Sequence, residues 1–359
     1  MTIVEATRYY ERWMAQRIDI VARDLKCKHA MMHSGAFTFL RATFYRWVGL
    51  WKDACPDLAS APQVLAAGDL HVENFGTWRD AEGRLVWGVN DFDEAFPMPY
   101  TNDLLRLATS ALLAIEEQSL SIGPESACRA ILDGYKQAID EGGTPFVLEE
   151  AQPALRDMAL GAERDPARFW AKLNRLKTVT AQKKVRRLLR RHLPDAALEV
   201  RIAHRIAGIG SLGRPRYLAL SQWEGGMVAR EAKAALLSAA VWATNTRNEK
   251  LHYAEILKRA VRAPDPFIAI DKGWILRRLA PHCSRIDLSD FPKKRDERRI
   301  LHAMGFETAN IHLGTRSEIA SIGRDLRRRH NHWLHDAASV MAGATLKEWK
   351  IWRKSQRRS

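Results

Sequence analysis

Apolar residues recur at roughly helical spacing over residues 3–30, where Ile3, Ala6, Tyr10, Trp13, Ile18 and Val21 predict an amphipathic helix. Residues 36–53, "AFTFLRATFYRWVGLWKD", predict a second helix rich in aromatics. "PQVLAAGDL" is a short apolar run ending in Gly68-Asp69 and reads as a strand leading into a loop. "RLVWGVNDFD" reads as another short strand, after the turn "RDAEGR". From Tyr100 to about Leu193 the pattern is almost wholly helical, with Thr101 or Asn102 placed to cap the helix "DLLRLATSALLAIEE". The period then shortens. "LEVRIAHRIAGIGSLGRPRYLALSQWEGGMVAREA", residues 198–232, alternates apolar and polar residues around glycine turns and predicts a three-stranded antiparallel meander. A helix over 248–262 and two strands around Asp271-Lys272-Gly273 follow, and the pattern is helical again from about Lys293. The expected fold is α+β and two-lobed. A helical lobe takes residues 1–197, a small antiparallel sheet with one inserted helix takes 198–285, and C-terminal helices at 286–359 pack back on the helical lobe.

At 359 residues and 46% hydrophobic, the chain is long enough to bury a core and to form two lobes. Cys27, Cys55, Cys128 and Cys283 are far apart and form no Cys-x-x-Cys pair, which argues against a zinc ribbon or a disulfide framework and for a reducing compartment. The longest apolar runs, such as residues 234–243, are too short to span a bilayer, and the N-terminus lacks the apolar stretch of a signal peptide. A cytoplasmic protein without a membrane partner is expected. The net charge of +15, from 57 Lys plus Arg against 42 Asp plus Glu, favours polyanionic partners such as nucleic acid or nucleotide phosphates. The excess gathers in "KKVRRLLRRH", "KKRDERR", "RDLRRRH" and "KIWRKSQRRS". Each run alone reads as a solvated helix face.

Two acidic clusters carry the chemistry. "GDLHVENFG" sets Asp69 five positions before Asn74, and "VNDFDEAFP" adds Asp91 and Asp93 at the end of the next strand. A base, an Asn and a strand-end Asp in that order form the phosphoryl-transfer arrangement of kinases, and carboxylates with an amide oxygen suit Mg²⁺. Asp69 is the candidate base; Asn74, Asp91 and Asp93 are the candidate metal ligands. "GIGSLG", residues 208–213, is weak evidence alone. It precedes Pro215 and an alternating strand pattern instead of a helix, which suits a loop lying over the phosphates of ATP, with Gly208, Gly210, Ser211 and Gly213 against them. The next strand brings Arg230 and Lys233 as candidates to pair with nucleotide phosphates, and the helix beyond offers Glu249 or Glu255 as partner for that cation. Arg41 is placed equally well to reach phosphates or to pair with a core carboxylate. His71 reads as a residue that holds its loop by hydrogen bonds, and "HNHWLH" as surface or capping histidines.

On "FTFLRATF", "GDLHVENFGTW", "VNDFDEAFPMPYTNDLLRLATS", "GIGSLGRPRYLAL" and "VAREAK", the chain resembles the bacterial family called domain of unknown function 2252, whose members look like distant relatives of protein kinases and aminoglycoside phosphotransferases. The resemblance covers about residues 30–340. It implies a kinase-like fold in circularly permuted order, because the base loop precedes the glycine loop. It also implies Asp69 as catalytic base, Asn74 and Asp91 as metal ligands, and Asp103 as the structural Asp after the metal loop. Two positions depart from the pattern: Ala67 stands where kinases usually keep a His, and Arg230 where the family usually has the strand Lys. The expected function is ATP- and Mg-dependent phosphoryl transfer to an unidentified acceptor. The alternatives are nucleotidyl (AMP) transfer from the same parts, or a nucleic-acid-binding protein with a degenerate site.

Overall fold

A computed structural model describes residues 1–149, 152–153, 155–157, 165–247, 249–283 and 295–356. Thr2 opens helix α1 (Ile3–Ala15) with a capping box: its hydroxyl accepts the Glu5 N–H while the Glu5 carboxylate accepts the Thr2 N–H. The helix expected over 3–30 is two helices, because the Val21 N–H leaves the helical ladder to donate to the Gly213 carbonyl at 2.9 Å; α2 (Ala22–Met32) starts afresh beyond it. The helix expected over 36–53 also divides, into α3 (Ala36–Ala42) and α4 (Phe44–Ala54). At the break the Thr43 hydroxyl donates back to the Phe39 carbonyl at 2.8 Å, the local bond by which Thr bends helices. The one-turn α5 (Pro56–Ala59) follows.

Four short strands then set up the site: β1 (Gln63–Ala66), β2 (Phe75–Arg79), β3 (Leu85–Val89) and β4 (Phe96–Pro99). β1 pairs antiparallel with β4, placing Ala66 opposite Phe96, and β2 pairs with β3, placing Phe75 opposite Val89. The loop from Ala66 to Phe75 and the loop from Val89 to Phe96 therefore leave and re-enter at the same places and run side by side. The Asn90 N–H ties them by donating to the Asn74 carbonyl at 3.1 Å. Helix α6 (Thr101–Glu116) is buried on all sides from Thr101 to Ala114, as befits a central helix. Thr101 and Asn102, expected as caps, tether neighbouring backbone instead: Thr101 Oγ1 donates to the Leu58 carbonyl and Asn102 Nδ2 to the Gly68 carbonyl. Around α6 pack α7 (Pro124–Glu141), α12 (Arg295–His312) and α14 (Trp333–Gln356), with α13 (Ile319–Arg328) against α7; β5 (Phe146–Val147) extends β3.

The second sheet has the order β6-β7-β8-β10-β9, all antiparallel, from β6 (Arg201–His204), β7 (Arg216–Trp223), β8 (Gly226–Ala234), β9 (Ala269–Asp271) and β10 (Trp274–Leu279). The expected meander and the later strand pair are both present, and the α+β class stands. Two helices are inserted between β8 and β9, α10 (Ala239–Thr244) and α11 (Tyr253–Arg259), where one over 248–262 was expected. Asn248, Lys293 and the last three residues lie outside the described residues. Helix α8 (Pro166–Asn174) packs Phe169 and Leu173 on one face of this sheet, and α9 (Lys183–Arg191) packs Val185, Leu188 and Leu189 on the other. Residues 166–191 thus sit on the sheet, and the boundary expected at 197 falls earlier. No helix among the described residues is long and apolar enough to cross a membrane.

Glu307 on α12 is a buried acid in this body. Its carboxylate accepts the Val89 N–H at 3.2 Å and Asn310 Nδ2 at 2.9 Å, yet burial pushes its pKa up to about 7 against the pull of Arg262. A raised folded pKa means that the native state holds a proton the unfolded chain has lost, so stability falls as pH rises from about 4.5 through 7. We expect Glu307 to lower the unfolding free energy by about 3 kcal/mol between pH 5 and 8. Urea titrations of wild type and Glu307→Gln at both pH values check this; equal pH slopes in the two proteins would refute it.

Candidate functional site

The two loops joined to β1–β4 form the floor of a cleft of about 390 Å³, and the inner face of the five-stranded sheet forms its roof. The floor is anchored by Asp103 on α6, wholly buried, whose oxygens accept the Ala67 N–H at 2.7 Å and the Gly68 N–H at 3.0 Å. His312 from α12 reaches the same carboxylate at 3.1 Å through Nε2, and its Nδ1 lies 2.9 Å from the Tyr135 hydroxyl. Gly68 has φ +82°, and a side chain there would run into the Glu94 carbonyl. Glycine at this point is what allows the two acidic loops to touch.

Asp69 looks into the cleft. Burial pushes its carboxyl above the usual range, and Arg106 opposes that. Arg106, also on α6, is fully buried, donates from Nε to Asp69 Oδ1 at 2.7 Å and from its other end to the Leu40 carbonyl at 2.8 Å, and lies over the Trp47 ring. Arg106 is not among the candidate residues that the sequence motifs offer. An Arg amid the apolar run of α6 has to find a carboxylate when that run is buried, and this is the signal that points to it. Asn74 donates from Nδ2 to the Asp69 carbonyl at 2.8 Å, which leaves its amide oxygen for a cation or water. Asp91 keeps a third of its side chain exposed toward the cleft, with Lys233 Nζ 3.6 Å away.

Asp93 differs from its neighbour. Burial would raise its pKa, but Lys233 at 2.5 Å and Arg214 at 3.3 Å hold the carboxyl well below the ordinary range. One oxygen serves those cations, while Oδ1 is buried without a hydrogen-bond partner. Asp93 is therefore chiefly the counter-ion of the roof, and Asp91 with Asn74 are the residues of the floor that could offer oxygen atoms to a cation. Among the described residues no three His, Cys, Asp or Glu side chains gather as a metal-holding group. Glu94 completes the row: it accepts the Ala239 N–H at 2.6 Å and Arg214 at 3.0 Å, with burial raising its pKa to about 7.

The glycine loop joins β6 to β7 through a single turn of 3₁₀ helix, Ile209–Ser211. It descends on the acidic floor, so that a Cβ on Gly210 would lie 3.4 Å from Asp69 Oδ2 and 3.2 Å from the Arg41 carbonyl. Ser211 Oγ accepts from Arg216 at 2.8 Å and donates to the Gly208 carbonyl at 3.2 Å. Lys28 on α2, another residue not singled out from the sequence, donates from behind to the Gly210 carbonyl at 3.2 Å; burial lowers its pKa to about 8. Gly213 has φ +99° and faces Leu25 of the same helix, so α2 supports the loop along its length.

Strand parity decides between the two cations of β8. Lys233 lines the cleft beside Arg216, its register partner on β7, and Glu231, on the same face of β8, accepts from Arg216 at 2.7 Å. Arg230 points the other way, donating to the His192 carbonyl at 2.7 Å and lying over the Phe267 ring. Arg230 is thus outside the cleft, because alternate residues of a strand face opposite sides. Glu249 and Glu255 are not partners of Lys233 either: Glu249 pairs with Arg17, and Glu255 with Lys250, His252 and Arg259. Arg41 pairs with Glu73 at 2.5 Å on the rim, and His71 Nδ1 accepts the Glu73 N–H at 3.2 Å within the loop. His332 and His335 lie at the start of α14, away from the cleft.

Residues 20–197 match the family described as an uncharacterized protein conserved in bacteria (DUF2252). That stretch holds Asp69, Asn74, Asp91 and Asp103, while the glycine loop, Lys233 and His312 lie beyond it. No curated protein and no solved structure matches the chain.

Proposed function

We propose that the chain is a phosphotransferase that uses ATP with Mg²⁺ and transfers to an unidentified acceptor, in a kinase-like cleft of permuted order. The observation that carries this reading is the closeness of Gly210 to Asp69 across the cleft, from positions far apart in the sequence. Asp69 Oδ2 takes the acceptor's proton, while Arg106 keeps Oδ1 and fixes the carboxylate plane. Asp91 and Asn74 hold the cation, which when bound neutralises phosphate charge. The backbone of Gly208 to Gly213 covers the phosphates, and Lys233, held by Asp93 and Asp91, supplies a positive charge beside them. Leu173 and Leu279, packed in one apolar cluster, line the cleft and would be the surface against which a planar base lies. The test is incubation of purified protein with cell extract and ATP labelled at the γ or the α phosphate. Transfer of γ label that disappears in Asp69→Asn supports the reading. Transfer of α label identifies nucleotidyl transfer instead, and no transfer of either label refutes both.

A further inference from the structure

The charge excess is not spread evenly. Between Asp165 and Asp195 the chain has ten Lys and Arg residues and no Asp or Glu. Nine of the ten are exposed; only Arg190 is half-buried. Among the described residues Arg168 alone has a carboxylate partner, Asp165 at 3.5 Å on an open surface. This segment wraps one edge of the five-stranded sheet. Helix α8 lies on the inner face and α9 on the outer one. The chain between them runs beside β6, with Thr178 bridged to Ala203 and the Val179 N–H donating to the Ile202 carbonyl at 2.9 Å. The cations thus ring one edge of the sheet, and Lys172 of α8 also lines the cleft.

We propose that this strap, along the β6 edge of the sheet and over its outer face, is a docking surface for the phosphate backbone of nucleic acid. Ten cations uninterrupted by any acid call for a partner of equally dense charge. A duplex carries one charge per roughly 1.7 Å of axis, whereas an extended acidic peptide carries at most one per roughly 3.3 Å. An anionic bilayer is the poorer fit. The apolar residues of both helices, Phe169 and Leu173 on α8 and Val185, Leu188 and Leu189 on α9, are buried in the sheet. Trp170 of α8 is partly buried against the same cluster, so neither helix presents the continuous apolar face that an interfacial helix needs. The contacts are to phosphates, so binding is independent of base sequence. The surface is independent of phosphoryl transfer, and either reading can fail without the other.

The experiment is fluorescence anisotropy of the full chain with a labelled DNA duplex of arbitrary sequence, at low and at physiological salt. The variant Lys183→Gln/Lys184→Gln/Arg186→Gln/Arg187→Gln/Arg191→Gln changes only exposed side chains of α9. The control, Lys347→Gln/Lys350→Gln/Lys354→Gln, removes exposed charge from α14. Expected are wild-type binding that weakens steeply with salt, at least tenfold loss in the α9 variant at low salt, and little change in the control. The slope of log affinity against log salt should flatten by about 0.9 for each phosphate contact removed. Three results would overturn the proposal: no duplex binding at low salt, equal loss in both variants, or tighter capture by phosphatidylserine vesicles than by duplex.

Discussion

Asp69→Asn is expected to lower γ-phosphoryl transfer by about 10²–10⁴-fold and to leave Mg-ATP affinity nearly unchanged, because a general base acts on the acceptor and not on the nucleotide. Asp91→Ala should do the reverse first and weaken Mg-ATP binding itself, as read by calorimetry. Asp69→Asn has a second consequence. Arg106 is fully buried, and losing its counter-ion leaves a buried charge unpaired, so the thermal midpoint should fall with the activity. The double variant Asp69→Asn/Arg106→Met separates the two effects: it should recover much of the stability and none of the turnover. Wild-type-like turnover in Asp69→Asn, or activity restored together with stability in the double variant, would remove Asp69 from the base role.

Gly134→Ala and Gly305→Ala should each cost about 3 kcal/mol or more of stability. A methyl at Gly134 on α7 would overlap the His302 carbonyl of α12, and one at Gly305 on α12 would overlap the Ile131 carbonyl of α7. Backbone meets backbone in both directions, and no side chain is available to move aside. Both residues have ordinary helical φ values, so the cost is one of close approach and not of conformation. Gly343, an exposed glycine of α14 with nothing near its missing Cβ, is the internal comparison. Gly343→Ala should stabilise by roughly 0.5–1 kcal/mol through helix propensity alone. Denaturant melts of the three variants decide the matter. Tolerance of either core substitution would mean that α7 and α12 are not locked at this distance.

The sequence shows the β6–β7 glycine loop because Pro215 and an alternating pattern follow it, and a dinucleotide-type helix cannot continue through them. Asp69, Asn74 and Asp91 are legible because short strands put them at fixed offsets in two loops. The side of the sheet on which a given residue lies is much less legible. Arg230 and Lys233 differ by an odd number of positions, so one must face away, and only the register of β8 against β7 decides which. Helix breaks at Val21 and Thr43 also escape notice, because a backbone bond to the distant Gly213 and a local hydroxyl bond override an unbroken apolar rhythm. Lys28 is invisible as a site residue for a related reason: it is one of several cations in α2, and its significance comes from what a remote loop brings to it.

The anchor of the floor has a bearing on how the chain is made. Asp103 holds the backbone of Ala67 and Gly68, but its His312 partner lies 209 residues further along. At roughly 5–20 residues per second, a ribosome delivers that histidine roughly 10–40 s after the aspartate. During that interval the Asp103 carboxylate waits without its neighbour, and the α7 face that will receive α12 is open to water. A nascent chain stalled before α12 would therefore carry every acid of the floor and yet lack the helix that packs behind it, a stage at which apolar surface is exposed to aggregation.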